Sequence, residues 1–129
     1  MMKIIKNLLH CSIFQPDFWI IFQSKPISMG GLRFHAMLAL TPDCILVHGG
    51  RNFKAKPSDN VNGYLYACLI VEGKSNWYNV PLLEDIIPRF GHELIFYESE
   101  LYIVGGFSSD QDKSIGDVKK ISFERFETE

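Results

Sequence analysis

No apolar run in this 129-residue sequence reaches the roughly 20 residues that a membrane-spanning helix requires; the densest, Phe18-Trp19-Ile20-Ile21-Phe22, stops far short. An excess of positive charge is missing too. Thirteen Lys and Arg stand against fifteen Asp and Glu, a net charge of -2, so no overall basic field draws nucleic acid or an acidic membrane surface. Cysteine is scarce: Cys11, Cys44 and Cys68 are odd in number and far apart, which excludes a C-x-x-C pair and points to buried, reduced thiols in a cytoplasmic protein. Lys3 and Lys6 before an apolar stretch imitate a signal peptide, but His10 and Cys11 interrupt that stretch. No small-x-small cleavage site follows before Gln15-Pro16-Asp17, so secretion is not expected.

Recognisable catalytic chemistry is lacking as well. His10, His35, His48 and His92 show no His-x-x-x-His spacing, and the cysteines supply no second pair of metal ligands. The glycines at 30-31, 49-50 and 105-106 do not fall into G-x-G-x-x-G or G-x-x-x-x-G-K-[ST], and no helix follows them to offer a phosphate its N-terminus. No serine sits in G-x-S-x-G. No cofactor, no metal and no catalytic residue is therefore expected, and the chain is read as a non-enzyme.

What is present is an apolar fraction of 47% with 13% aromatics, enough for a packed core, and an internal repeat. Arg33-Phe34 recurs as Arg89-Phe90, and Gly49-Gly50 recurs as Gly105-Gly106, both 56 residues on. The histidines His35 and His92 are 57 apart, so the first unit lacks a counterpart of Gly91 and regains the residue in its hinge. Each unit reads as a hairpin: Met37 to Leu40 and Cys44 to Val47 around Thr41-Pro42-Asp43, then Leu94 to Tyr97 and Leu101 to Val104 around Glu98-Ser99-Glu100. These runs are apolar on both faces, which predicts central strands in sheets covered on both sides. A third strand is expected in each unit, over residues 63 to 71 and 117 to 126. In the first unit a polar turn over residues 72 to 76 leads to a fourth strand, Trp77-Tyr78-Asn79-Val80. One unit is thus four antiparallel strands, and the fold class is all-β.

A unit of this length with four strands, an internal glycine pair and a later tryptophan resembles the kelch repeat, one blade of a β-propeller. Arg33, His35, Gly49, Gly50, Tyr64 or Tyr66, Trp77 and Pro88 carry the resemblance in the first blade; Arg89, Gly91, His92, Gly105 and Gly106 carry it in the second. The resemblance implies antiparallel four-stranded kelch blades of a partial β-propeller. Residues 33–88 form one blade and residues 89–129 an incomplete second. Residues 17–32 hold the last strand of a preceding blade, placed by Trp19, while residues 1–16 match nothing in the repeat. Two blades fall short of a closed ring, so the chain is expected to be part of a larger propeller.

Kelch proteins mostly serve as protein-interaction modules, which makes a protein or peptide the implied partner. In that family the arginine at blade entry can face the mouth of the central channel and contact acidic peptides; the positions here are Arg33 and Arg89, with Arg51 on a neighbouring loop. The alternative is hydrogen bonding of each arginine within its own blade. Some kelch-type propellers belong to enzymes, and the rival reading is a propeller portion of an enzyme whose active residues lie outside these 129. The glycine pair is read as a notch that admits a ring from within the blade, with Trp77 and Tyr64 as candidates.

Overall fold

The computed structural model describes residues 2–5, 8–11, 18–21, 34–51, 61, 63–108, 114–123 and 125–127, the first three ranges and the last by their backbone. All regular elements among them are strands. β1 (Met2–Ile5), β2 (Leu8–Cys11) and β3 (Phe18–Ile21) run antiparallel in one sheet. β4 (Ala36–Thr41), β5 (Cys44–His48), β6 (Leu65–Val71) and β7 (Lys74–Val80) form a four-stranded sheet in chain order. β8 (Glu93–Tyr97), β9 (Glu100–Val104) and β10 (Val118–Ile121) form a three-stranded one. β11 (Arg125–Glu127) leaves that sheet and pairs with β3, Phe126 opposite Trp19. The architecture is all-β and antiparallel, and the last two sheets repeat the same strand order.

The hairpins form where local chemistry permits reversal. Between β4 and β5, Pro42 and Asp43 make the turn, and the Asp43 N–H donates to Thr41 Oγ1 at 3.2 Å. The extra residue of the first hinge is absorbed by a register shift between Ala39 and Thr41, so β4 is one residue longer than β8. Between β8 and β9 the turn residues Glu98 and Ser99 both have positive φ, 48° and 62°. This is the hand that follows strand twist in a two-residue hairpin. Between β6 and β7 the same hand is taken by Glu72 and Gly73, which shortens the expected turn and starts β7 at Lys74. The polar start of β7 reads as loop in the sequence because an edge strand exposes side chains that a central one buries.

The segment expected to be one strand over residues 117 to 126 is broken after Ile121. Its first part continues the three-stranded sheet and its last part crosses to β3. Residues 2 to 11, unmatched in the repeat, supply β1 and β2, and the strand around Trp19 stands between β2 and β11. A strand's alternation tells which face it buries, but not which distant edge receives it.

The core lies between the two repeated sheets. Leu46, Leu65, Ala67, Leu69 and Val80 of the first pack in one buried cluster with Leu94, Leu101, Ile103 and Ile121 of the second. The faces differ: the first sheet uses the cross-strand row Leu38, Leu46, Ala67. Its counterpart in the second sheet, Ile95, Tyr102 and Lys120, points the other way. Ile95 is 45% exposed and Val118, the counterpart of Leu65, 68%. Coverage on both faces, expected from the apolar runs, therefore fails for β8 and β10. Tyr102 and Lys120 replace leucine and alanine there, side chains that tolerate water at one end. Truncating Leu46 to alanine is expected to lower unfolding free energy by about 2–5 kcal/mol, because a buried side chain leaves a cavity. Tyr102→Ala should lower it by less than about 1.5 kcal/mol; urea denaturation of the two variants checks the contrast.

Candidate functional site

Each repeated unit opens with a short entry segment, and its second strand ends at glycine. In the first unit these parts are Phe34-His35 and Gly49-Gly50; in the second they are Arg89 to His92 and Gly105-Gly106. The two units meet here. A Cβ built on Gly49 would stand 2.5 Å from the Arg89 carbonyl oxygen and 2.5 Å from His92 Cε1, far inside contact distance. Gly49 also has φ +71°, so both space and backbone demand glycine. The Gly50 N–H donates to the same Arg89 oxygen at 2.9 Å. The notch is filled by the entry of the next unit, not by Trp77 or Tyr64. Trp77 sits on β7, two strands away from Gly49, and Tyr64 is largely exposed.

The missing glycine of the first unit has a structural price. Gly91 takes φ +69° at the entry of the second unit, whereas in the first unit the positive φ, 57°, falls on Phe34 itself. Positive φ on a bulky residue strains the backbone by about 1–3 kcal/mol. Its carbonyl accepts the Gly91 N–H at 2.8 Å, so the strained residue of one unit anchors the other.

Beneath the glycines lies a histidine pair. His48, the last residue of β5, and His92, just before β8, are both buried and share a hydrogen bond, Nδ1 to Nε2, of 2.9 Å. Their rings meet edge to face. Burial first, then the neighbouring His92 and Arg89, pushes His48 down to about 3; burial and Arg89 push His92 down to about 4. Both are neutral at pH 7, one as donor and the other as acceptor.

Arg89 is 1% exposed. Its Nε donates to the Ile87 carbonyl at 3.2 Å, and its Nη1 to the Gly105 carbonyl at 3.2 Å and to Asp117 Oδ1 at 2.7 Å. The guanidinium holds the Asp117 carboxyl below the usual carboxylate range. Since the Gly105 N–H also donates to the Asp117 carbonyl at 2.9 Å, this cluster ties the entry of the second unit to its second and third strands. In the first unit the corresponding bond runs from Gly49 N–H to the Tyr64 carbonyl, so a tyrosine stands where the second unit has Asp117. Arg33 lies outside the described residues.

Arg51 is placed differently. It follows the first glycine pair, bridges to Val61, and carries its guanidinium carbon 4.9 Å from the centre of the Phe90 ring. Phe90 is buried and flanked by Phe34 at 6.3 Å and Phe107 at 5.7 Å. Phe34 is 59% exposed and Phe107 41%. Phe107 pairs with Phe90 through two backbone hydrogen bonds, 3.0 and 2.9 Å, at the position that Arg51 holds in the first unit. The result is two exposed phenylalanine rings and one cation gathered about the buried Phe90 at the joint between the sheets. The sequence signalled Arg51 but not this patch, although the repeated Arg-Phe and the residue after each glycine pair mark its members.

The fold and this joint define a class: an all-β protein of repeated antiparallel sheets, joined by glycine-ended strands and buried Arg and His side chains. Over 80 residues, 62% of the chain, it is 29% identical to human Kelch domain-containing protein 9. The match takes in 22% of that protein, so the chain spans about a fifth of the length of the curated relative it resembles. No family model matches the sequence. Among the described residues, no group of three or more His, Cys, Asp or Glu could hold a metal ion. Cys44 and Cys68 are buried and in no disulfide.

The histidine pair makes stability depend on acid. Above pH 6.5 both histidines are neutral in the folded and unfolded chain, and the contribution is complete. Below it the unfolded chain gains protons that the fold refuses, so stability falls as pH drops from 6.5 toward 4. By pH 5 the loss is about 2 kcal/mol per histidine. Urea denaturation between pH 7 and 5 should show this slope and should show it flattened in His48→Gln/His92→Gln; an unchanged slope in that variant would contradict the assignment.

Proposed function

We propose that the chain acts as a kelch-type protein-interaction module, and that its partner presents an acidic segment to the patch of Arg51, Phe34, Phe90 and Phe107. The likeness to a kelch-domain protein supports the interaction role. The acidic character is carried by one observation: Arg51 lies over Phe90, a ring that two exposed phenylalanines flank on the sheet joint. Phenylalanine and arginine are both enriched at protein interfaces relative to the rest of the surface. A planar guanidinium pairs carboxylates in two directions, and the rings bury apolar groups beside them.

The three arginines divide by their surroundings. Arg89 spends its donors on Ile87, Gly105 and Asp117 and acts as a structural brace that sets the position of Phe90. Arg33, the matching arginine at the entry of the first unit, is the second candidate for the partner's acid. A cytoplasmic setting belongs to the same reading, on the odd and widely spaced cysteines.

Fluorescence polarisation with a labelled peptide rich in glutamate and leucine tests the proposal against a glutamine-for-glutamate copy. The glutamate peptide should bind more tightly, and Arg51→Ala should weaken it about tenfold, the loss of one charge-assisted pair. Equal binding of the two peptides, or an unchanged affinity in Arg51→Ala, would overturn the acidic partner.

A further inference from the structure

A concavity lies beside the pairing of Arg51 with Val61, where the first sheet meets the connection between the units. It is a cleft of about 660 Å³, within the range of ligand and side-chain pockets. Its floor is apolar and buried: Leu65 of β6, Val80 of β7 and Ile86 of the connection. Its rim carries Tyr64, whose ring is exposed, and two exposed carboxylates, Glu84 and Asp85. Among the described residues, no Lys, Arg or His lines it.

The connection that bears the carboxylates is anchored. The Leu83 N–H donates to the Ser122 carbonyl at 2.8 Å, Leu82 bridges Phe123, and Pro81 and Pro88 restrict the backbone at either end. The cleft is thus an apolar floor under an acidic, aromatic rim on a braced loop.

We propose that this cleft seats one lysine or arginine side chain of a partner polypeptide. A long basic side chain has the two properties that the lining demands together: an apolar stem to lie on Leu65, Val80 and Ile86, and a cationic head for Glu84 and Asp85. Tyr64 adds an aromatic ring to the rim, and aromatic rings attract cations electrostatically. A neutral apolar group would leave the carboxylates without a counter-charge, and an acidic one would be repelled by them. The site goes beyond the Arg51 reading and has the opposite charge preference, so failure of one leaves the other standing.

The probe is a short fluorescein-labelled peptide, GSPLKLPSG, compared by fluorescence polarisation with a copy in which norleucine replaces lysine. The protein should bind the lysine peptide at least about fivefold more tightly. Glu84→Gln/Asp85→Asn should abolish that preference, and its exposed positions keep the fold intact, as circular dichroism will verify. Glu98→Gln, an exposed carboxylate on the hairpin of the second unit, should leave the preference in place. No binding of the lysine peptide, no preference over norleucine, a preference that survives in the double variant, or its loss in Glu98→Gln would each overturn the proposal.

Discussion

At Gly49 there is no room for a side chain, and the rest of the joint follows from that. The space that a Cβ would occupy holds the Arg89 carbonyl and the His92 ring, so the end of the first unit's second strand and the entry of the second unit occupy one place. In the second unit the crowding falls one residue later, on Gly106, whose missing Cβ would stand 2.8 Å from the Phe90 carbonyl. Because the backbones come this close, the Gly50 N–H reaches Arg89 and the Phe90 and Phe107 amides reach one another. The Phe90 ring, carried by this backbone, becomes the base on which Arg51, Phe34 and Phe107 gather. Backbone contact thus decides where the exposed chemistry sits.

Apolar packing supplies the bulk of the driving force, and the polar cluster supplies the register. Leucines and isoleucines from two sheets would cluster in more than one alignment, since hydrophobic attraction has no direction. Arg89 and the histidine pair have direction. A buried guanidinium left without Gly105 and Asp117, or a buried imidazole protonated in place, makes a slipped alignment expensive. The same burial turns the Arg89 donors inward, onto Ile87, Gly105 and Asp117.

The hairpins were legible in the sequence because their signals are local. Pro42-Asp43 and the apolar runs on either side of Glu98-Ser99-Glu100 predict strands to within a residue or two, and the 56-residue spacing exposes the repeat without any knowledge of packing. Even the length mismatch between His35 and His92 has its predicted home, the shift between Ala39 and Thr41. Partners across the fold were not legible. Nothing in Arg125 to Glu127 names β3 as its neighbour, and nothing in His48 and His92, 44 positions apart, announces a shared hydrogen bond. Sequence proximity favours Trp77 and Tyr64 as the rings beside the glycines, whereas the contact at Gly49 is made by the following unit. In the sequence Arg51 is a loop cation. Its aromatic surroundings depend on that same long-range contact, which local sequence does not show.

If the joint at Gly49 governs register, then Gly49 and His92 must be energetically coupled. A double-mutant cycle with Gly49→Ala and His92→Ala, read by urea denaturation, measures this directly. Gly49→Ala alone should lower stability by more than about 2 kcal/mol, from the close approach and the positive φ together. With His92 already truncated the added methyl loses its worst side-chain contact, and the account predicts a coupling of at least about 1 kcal/mol. Additivity of the two substitutions within about 0.5 kcal/mol would contradict it.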